Sequence, residues 1–366
     1  MYNTALKILK KITSNGYEAY VVGGYARDLY LDRVSADVDI CTNATPMQLK
    51  TIFSSIILPT NEYGSVTVIM NKVRFEITTY REDIKYENNR QPSKTKYTKD
   101  ILVDLRRRDF TINTLCMNDK GEILDLLGGK KDIDNKIIRM VGNPKIRLKE
   151  DVLRILRAIR FATILDFEIE DNLKKYIKKY GYLLKKLSYY RKKEELERIF
   201  SSPNALKGIK LIKELKLDEY LELKNLDNLI ITSSLIGIWA QLDVVDIYDF
   251  NTYEKDEIKK INELKNLKLD NHALFKYGLY PCTIIAEYRN LDKKLVNRMY
   301  DELPIKSVHD IKIKANEICE ILKIKPSKII KMVYNDLTEE ILSLNVLNEF
   351  EDIKKYILKN KKKYEV

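Results

Sequence analysis

The sequence predicts an α+β domain with a mixed sheet and helices, followed by a region built entirely of α-helices. Two observations predict this division. Before about residue 140, short β-branched and aromatic runs alternate with glycine-containing turns, a pattern typical of strands joined by tight connections. Beyond that point glycine becomes sparse, and Leu and Ile recur at helical spacing among Lys and Glu. The 366 residues leave room for two or three domains.

Five short runs in the first part are predicted to be strands. They are Ala19–Val22, Val38–Ile40, Ser65–Met70, Val73–Thr79 and Glu122–Leu126. Turn signals separate these runs, and most are rich in β-branched or aromatic residues. They are the candidates for the mixed sheet.

Three helices are predicted among these strands, over Thr4–Thr13, Tyr25–Tyr30 and Met47–Ile56. The third follows Thr45-Pro46, and proline is favoured at the first position of a helix. In the second part, Arg147–Thr163 is predicted to be one continuous helix. Its apolar residues at helical spacing are Leu148, Val152, Ile155 and Ile159.

Composition excludes several classes of protein. A formal net charge of +12 favours a polyanionic partner such as RNA, DNA or a nucleotide. Four cysteines lie far apart without a CxxC pair, and only two histidines are present. These counts argue against a disulfide framework, a zinc ribbon and a histidine-rich metal site. Because the sequence has neither a signal peptide nor 18 consecutive apolar residues, we expect a cytoplasmic protein outside the membrane.

The most informative stretch is Val21–Pro46, in which a predicted strand leads into two glycines and a short helix. At such a junction Gly23 and Gly24 allow backbone N–H groups to approach a triphosphate, and Arg27 adds positive charge. For an isolated Gly-Gly pair, a simple tight turn is the alternative.

Two carboxylates follow on the next predicted strand. Asp37 and Asp39 are two residues apart, so both side chains leave the same face. Crowded carboxylates are favourable only where cations neutralise them, and Mg²⁺ prefers one or two carboxylates together with substrate phosphates. The pair therefore predicts a two-metal nucleotidyl-transfer site rather than an exposed acidic turn. Such a site usually includes a third acid; Glu76 is the candidate, with a solvent-facing strand residue as the alternative.

A second cluster lies in Leu105–Asn113, where Arg107, Arg108 and Asp109 follow one another beside apolar residues. Arginine donates two hydrogen bonds at once to phosphate or ribose, and a nearby Asp accepts from a ribose hydroxyl. The side chain of Asn113 is suited to bonding sugar or backbone. A solvated surface patch is the alternative for this motif alone.

A third cluster lies on the predicted helix. Glu150, Arg154 and Arg157 share one face, and Asp151 precedes Arg154 by three residues. Ordinary ion pairs along a helix are one interpretation. In the other, an Asp acceptor beside an Arg donor matches the Watson–Crick edges of cytosine and adenine. Uracil and guanine would leave these buried groups unpaired, so a nucleotide docked here would be C or A.

Together these motifs closely resemble those of class II tRNA nucleotidyltransferases, the CCA-adding enzymes of the polymerase β superfamily. The resemblance rests on GGYARD, DVD, RRRDFTIN, DLLGGKKDI and KIIRMVGNPKIRLKEDVLRILRAIRF, and runs from about residue 18 to residue 165. It implies a nucleotidyltransferase head at 1–138, a helical neck at 139–200, a body at 201–270 and a tRNA-binding tail at 271–366. In the neck helix Tyr189–Phe200, Glu195 and Arg198 would have supporting roles.

The resemblance also implies roles for individual residues. Metal binding falls to Asp37 and Asp39, with Glu76 as the third carboxylate. The triphosphate-binding turn is Gly23, Gly24, Arg27 and Asp28. Contacts to ribose and phosphates come from Arg107, Arg108, Asp109 and Asn113. The protein template that selects CTP and then ATP is formed by Glu150, Asp151, Arg154 and Arg157.

The implied activity is template-independent addition of CCA to tRNA 3′ ends, with Mg²⁺ as cofactor and no obligatory protein partner evident. An A-adding enzyme or a poly(A) polymerase on the same scaffold remains an alternative, because the head motifs are shared. Arg81–Pro92 resembles the flexible loop that accompanies adenine addition. A catalytically silent RNA-binding protein is the alternative of a different class, and the intact pair of Asp37 and Asp39 argues against it.

Overall fold

The computed structural model describes residues 1–35, 37–57, 64–87 and 91–364, and for 85–87 and 91–94 it describes the backbone alone. The predicted loop Arg81–Pro92 therefore lies partly outside the described residues, at 88–90. The chain divides into two compact units, Met1–Leu226 and Asp227–Val366. Among the helices that are described, none has the length and apolar character needed to cross a membrane.

The first unit contains all the described strands. In chain order they are β1 (Ala19–Val22), β2 (Asp39–Thr42), β3 (Ile56–Ile57), β4 (Ser65–Met70), β5 (Val73–Thr79), β6 (Arg81–Glu87), β7 (Gln91–Tyr97), β8 (Cys116–Met117), β9 (Ile123–Leu124), β10 (Ile137–Ile138) and β11 (Glu168–Ile169). Seven form one mixed sheet in the order β3-β4-β5-β2-β1-β8-β9, in which only β2 and β5 run parallel. β6 pairs with β7 as a separate hairpin, and β10 pairs with β11.

Helices surround this sheet and continue along the rest of the chain. In the first unit they are α1 (Tyr2–Thr13), α2 (Gly24–Tyr30), α3 (Pro46–Ile52), α4 (Ile101–Arg106), α5 (Gly129–Asp134), α6 (Pro144–Glu150), α7 (Leu153–Leu165), α8 (Asp171–Tyr180), α9 (Tyr189–Phe200), α10 (Ala205–Glu214) and α11 (Asp218–Leu221). In the second unit they are α12 (Leu235–Trp239), α13 (Thr252–Leu264), α14 (Asn271–Tyr277), α15 (Leu279–Tyr288), α16 (Lys293–Asp301), α17 (Ala315–Leu322), α18 (Lys328–Leu342), α19 (Phe350–Lys359) and α20 (Lys361–Tyr364). The predicted division into a mixed α/β part and a mostly helical part is confirmed.

The two faces of the sheet bury different helices. On one face the apolar side of α1, including Ile8 and Ile12, joins Val21, Ile40 and Phe75 in a continuous core. A smaller cluster contains Val22 of β1 and Leu105 of α4. Successive strand residues point to opposite faces, so Val21 and Val22 belong to different clusters. This packing fixes the position of the end of β1 and the start of β2, which lie side by side in the middle of the sheet.

Several element boundaries differ from the prediction. The helix predicted over Met47–Ile56 ends at Ile52, because Phe53 is extended and Ile56–Ile57 pairs with β4 instead. β2 begins at Asp39 rather than Val38 and continues to Thr42, opposite β1. The strand predicted over Glu122–Leu126 shortens to β9. The strands β1, β4 and β5 have the predicted bounds.

Candidate active site

A cleft of about 530 Å³ opens in the first unit, where Val22 at the end of β1 lies opposite Asp39 at the start of β2. Most of the residues predicted for the site line it. They are Gly23, Gly24, Arg27, Asp28, Asp37, Asp39, Arg108, Asp109, Asn113, Asp151, Arg154 and Arg157. Glu76, Arg107 and Glu150 do not line it, and Ser35, Leu153 and Phe161 line it without having been predicted.

The glycine turn lines the cleft beside Arg108. Gly23 has φ +81°, in the left-handed region that strains other residues. A Cβ at this position would lie 3.5 Å from Nη1 of Arg108 and 4.0 Å from Oδ2 of Asp39. Glycine therefore supplies the backbone conformation and leaves the space between strand, arginine and carboxylate open.

Asp37 and Asp39 form the acidic wall of the cleft. Both are exposed, whereas Val38 and Ile40 between and after them are buried, as the predicted alternation requires. Neither carboxylate forms an ion pair within the part of the chain that is described. The pKa of Asp39 is raised, chiefly by burial of part of its carboxylate in the cleft, and Asp37 and Glu76 raise it further against the opposing effect of Arg108.

Glu76 lies opposite Asp39 in the parallel pair of β5 and β2. It is exposed and outside the lining of the cleft, although it is close enough to raise the pKa of Asp39. Across the described ranges, no group of three His, Cys, Asp or Glu side chains is placed to hold a metal ion. The role of Glu76 as a third carboxylate stays a prediction.

A second group of residues in the lining of the cleft is connected by ion pairs and hydrogen bonds. Arg27 donates from Nε and Nη2 to Oδ1 of Asp28 at 2.9 and 2.7 Å, and from Nη1 to Oδ1 of Asn113 at 2.7 Å. Asn113 in turn donates from Nδ2 to Oδ1 of Asp109 at 3.0 Å, and Arg157 donates from Nε to Oδ2 of Asp109 at 2.8 Å. Burial opposes ionisation of Asp109, but Arg157 and Asn113 hold its pKa well below the ordinary range. We call these five residues the arginine wall.

The prediction of one continuous helix over Arg147–Thr163 is wrong, because the helix is interrupted between α6 and α7. Asp151 has an extended backbone (φ −141°, ψ 103°), and its Oδ1 accepts the N–H of Leu153 at 3.0 Å. This side-chain bond offers the backbone an alternative to the helical ladder and restarts the helix. Glu150, Arg154 and Arg157 therefore do not share one face of a single helix.

The two predicted base-reading residues both line the cleft, Asp151 from the break itself and Arg154 from the first turn of α7. Arg154 is 5% exposed, and its Nη1 donates to the carbonyl oxygen of Arg147 at 2.8 Å. Its Nη2 donates to the carbonyl oxygen of Arg107 at 3.3 Å, and its Nε lies 3.9 Å from Oδ2 of Asp151. Burial raises the pKa of Asp151, and Arg154 opposes that rise. An acceptor and a donor thus stand side by side in fixed positions.

Two predicted residues outside the cleft hold other residues in place. Arg107 binds Asp104 through Nε at 2.9 Å and Nη2 at 2.8 Å, so its guanidinium does not line the cleft. Glu150 pairs with Arg147 and, at 3.4 Å, with Arg154. Asp104 was missed by sequence reasoning, although it precedes Arg107 and Arg108 by three and four residues, the spacing of neighbours on a helix.

Phe161 was also missed. The guanidinium carbons of Arg27, Arg157 and Arg160 lie 5.2, 5.3 and 4.6 Å from the centre of its ring. Cations at this distance are attracted to the face of an aromatic ring. The spacing of four residues between Arg157 and Phe161 was visible in the sequence, but the contact with Arg27 depends on the tertiary fold.

Two family models match the chain. Residues 19–139 match the poly A polymerase head domain, and residues 166–227 match a probable RNA and SrmB-binding site of polymerase A. The chain is 35% identical to the CCA-adding enzyme of Ligilactobacillus salivarius over 99% of its own length and 96% of that protein. It is 30% identical to the CCA-adding enzyme of Bacillus cereus over 98% of each chain.

Solved structures agree with these relatives. The CCA-adding enzyme of Bacillus stearothermophilus in complex with CTP superimposes with a TM-score of 0.84 at 26% identity, covering 100% of this chain and 98% of that one. The Thermotoga maritima CCA-adding enzyme complexed with tRNA has the same fold, with a TM-score of 0.71 at 22% identity over 98% and 95% of the two chains. The chain therefore belongs to the family of CCA-adding enzymes, the class II tRNA nucleotidyltransferases.

Proposed function

We propose that this protein adds CCA to the 3′ end of tRNA from CTP and ATP, without a nucleic-acid template. The observation that carries the proposal is the full-length relationship to CCA-adding enzymes, together with a cleft lined by two carboxylates and by the arginine wall. In the reaction, the 3′-hydroxyl oxygen of the tRNA forms a bond to the α-phosphorus of the nucleotide. The bond from that phosphorus to the bridging oxygen breaks, and pyrophosphate leaves.

The donor chemistry of the acidic wall fits Mg²⁺. Asp37 and Asp39 offer carboxylate oxygens that form no ion pair among the described residues, and the charge of Asp37 makes ionisation of Asp39 less favourable. When bound there, Mg²⁺ would neutralise the triphosphate and favour ionisation of the attacking hydroxyl. Glu76, opposite Asp39 in the sheet, would add negative charge beside this pair.

The nucleotide would lie between the two walls. The glycine turn and Arg108 would receive the triphosphate, since guanidinium groups bind phosphate oxygens through two hydrogen bonds at once. Asp109 and Asn113 would contact the ribose. Arg157 binds Asp109 and Arg27 binds Asn113, so both side chains are held in place without the nucleotide. Positioning of this kind contributes to rate because the reacting groups need little further ordering.

Selection of the base would fall to Asp151 and Arg154. Their side chains present an acceptor and a donor, which match the amino group and ring nitrogen of cytosine or adenine. Two backbone carbonyls fix the guanidinium of Arg154, so a base that lacks the complementary groups would leave buried polar atoms unpaired. UTP and GTP would be rejected on this ground.

The tRNA would be bound mainly through its phosphates and its shape. A net charge of +12 and a match of residues 166–227 to a probable RNA-binding model support this role. The predicted tail at 271–366 remains our candidate for further tRNA contacts. Affinity for tRNA should then fall steeply as salt concentration rises.

The test is extension of three tRNA transcripts that end before CCA, after the first C and after CC. Each is incubated with protein and Mg²⁺ and receives CTP, ATP or both, and the products are sized on a gel. We expect stepwise growth that stops after C, C and A. Addition of one A to the CC-ended tRNA alone would indicate an A-adding enzyme, long A ladders a poly(A) polymerase, and no extension a silent RNA-binding protein.

A further inference from the structure

Asp104 is a fully buried carboxylate on α4, outside the lining of the cleft. Its Oδ1 accepts the backbone N–H of Arg81 at 3.2 Å and Nε of Arg107 at 2.9 Å, and its Oδ2 accepts Nη2 of Arg108 at 3.3 Å. A buried carboxylate destabilises the fold unless it is paired and hydrogen-bonded. Three partners from two different segments meet that requirement at one side chain.

Arg108 carries the effect of Asp104 into the cleft. Its Nη2 is bound to Asp104, while its Nη1 faces Gly23, near the carboxylate of Asp39. Its Nε is buried and has no hydrogen-bond partner within the described part of the chain. Asp104 thus makes the hydrogen bond that fixes the direction of this guanidinium.

The third partner belongs to the hairpin. Arg81 is the first residue of β6, and its backbone N–H is held by the same carboxylate oxygen that binds Arg107. α4 also packs against β6. One carboxylate therefore connects the base of the β6–β7 hairpin to an arginine that faces the acidic wall.

We propose that Asp104 is a positioning residue, which holds Arg108 toward the triphosphate and links it to the β6–β7 hairpin. The proposal rests on the proposed function, because the triphosphate is that of the CTP or ATP substrate. Asp104 itself touches no substrate and acts through Arg108. A change at Asp104 should therefore have no further effect once Arg108 has been removed.

A double-mutant cycle with Asp104→Asn and Arg108→Ala tests the link to the cleft. The measured quantity is kcat/KM for CTP on the tRNA that ends before CCA. We expect Asp104→Asn to lower it about tenfold through loss of the charge-assisted bond, about 1.4 kcal/mol, and to leave KM for tRNA unchanged. The double variant should match Arg108→Ala within about twofold. Losses that multiply would overturn the role through Arg108.

The matched control is Glu257→Gln, which neutralises a 5% exposed carboxylate of α13, where it pairs with Lys260. Any loss it causes should multiply with that of Arg108→Ala. Thermal unfolding followed by circular dichroism checks that each variant is folded. If Asp104→Asn does not fold, Asp104→Glu, which keeps the charge but displaces it, is taken through the same cycle with the same criterion.

Hydrogen–deuterium exchange tests the link to the hairpin. CTP with Mg²⁺, without tRNA, should slow amide exchange in a peptide covering residues 81–87 of the wild type. The slowing should be at least halved in Asp104→Asn at equal occupancy of CTP, and equal slowing would overturn the link. This readout needs only nucleotide binding, so failure of the wild type to extend tRNA would count against the proposed function and not against the link.

Discussion

The two walls of the cleft carry charge in opposite ways. On the acidic wall, the exposed carboxylates of Asp37 and Asp39 have no ion-pair partner in the described structure. On the arginine wall, Arg27 and Arg157 are bound to Asp28 and Asp109. The carboxylates of the acidic wall are therefore not neutralised by an ion pair among the described residues, whereas the charges of the arginine wall are paired with each other. The contrast suggests that chemistry depends on the first wall, and that orientation of the nucleotide depends on the second.

The same contrast separates stability from activity. Close, unpaired carboxylates repel each other and add little to the fold, so removing one should not destabilise it. Buried charges with matched partners behave differently, because removal of one member leaves the other unpaired. We therefore expect variants of the acidic wall to lose activity while remaining folded, and variants of the arginine wall to lose stability as well.

The largest effect is expected at the acidic wall. Asp37→Ala or Asp39→Ala should lower the rate of CTP addition about a thousandfold or more, which corresponds to a rise of ~4 kcal/mol in the activation free energy. The reason is that each variant lacks one of the two carboxylates that would hold the metal. The free energy of unfolding and the affinity for tRNA should be unchanged. Single-turnover extension, urea unfolding and filter binding measure the three quantities. Retained transfer by either variant would refute the assignment of the metal site.

A control for this experiment is Glu214→Ala, which removes an exposed carboxylate from α10. Its rate of CTP addition should match that of the wild type within about twofold, since the exposed ion pair of Glu214 with Lys174 contributes little. A comparable loss in this variant would mean that net charge, and not the pair at the cleft, limits transfer.

The next effect concerns stability at the arginine wall. Asp109→Asn should lower the free energy of unfolding by about 1.5–3 kcal/mol at pH 7, because Arg157, whose side chain is 30% exposed, loses a charge-assisted hydrogen bond. The pKa of Asp109 is depressed in the folded protein. Its contribution is therefore present above the ordinary aspartate pKa of about 4 and is lost as pH falls through the lower folded value.

Urea unfolding at pH 7, 5 and 3 checks this pH dependence. The difference between wild type and Asp109→Asn should be constant from pH 7 to pH 5 and smaller at pH 3. Equal differences at all three values would show that Asp109 does not stabilise the fold through its charge.

The sequence was sufficient for the elements with a strong local pattern. The strands β1, β4 and β5 have the predicted bounds because their apolar and β-branched runs are bounded by turn residues. The spacing of Asp37 and Asp39 is a similarly local pattern, and both are exposed and line the cleft, although Asp37 lies before the start of β2. In each case the deciding information lies within a few residues.

The break between α6 and α7 could not be found in this way. Leu148, Val152 and Ile155 are all buried and keep helical spacing across the break, so periodicity predicts continuity. Instead the helix is interrupted at Asp151, whose Oδ1 accepts the backbone N–H of Leu153. Asp104 and Phe161 escaped notice because their contacts with Arg81 and Arg27 join segments that are distant in the sequence. Such contacts depend on tertiary packing, which local patterns do not report.

A smaller effect is expected for Arg154, the residue proposed to select the base. Arg154→Ala should raise the use of UTP relative to CTP about tenfold or more, while weakening CTP binding less than that, because the donor that rejects uracil is lost. Unfolding should become easier by only about 1 kcal/mol, because the carbonyl groups of Arg147 and Arg107 each lose one hydrogen bond but keep a second donor, the N–H of Asp151 and Nη2 of Arg147 respectively. Competition between CTP and UTP on one tRNA measures selectivity.

The control for selectivity is Arg106→Ala, which removes an exposed guanidinium from α4. Its ratio of UTP to CTP use should equal that of the wild type. If Arg154→Ala also keeps the wild-type ratio, Arg154 does not take part in choosing the base.

The smallest effect tests whether the arginine wall is ordered by its aromatic neighbour as well as by its carboxylates. Phe161→Leu keeps an apolar side chain beside Phe110 but removes the ring that Arg27 and Arg157 share. Each such contact contributes about 0.5–1 kcal/mol when partly exposed. KM for CTP and for ATP should therefore rise together by about three- to tenfold, with kcat and the ratio of UTP to CTP use unchanged.

Phe161→Tyr keeps the ring and should restore KM to within about twofold of the wild type. If both substitutions leave KM unchanged, hydrogen bonds to Asp28 and Asp109 suffice to order the arginines, and the wall owes its organisation to paired charge alone.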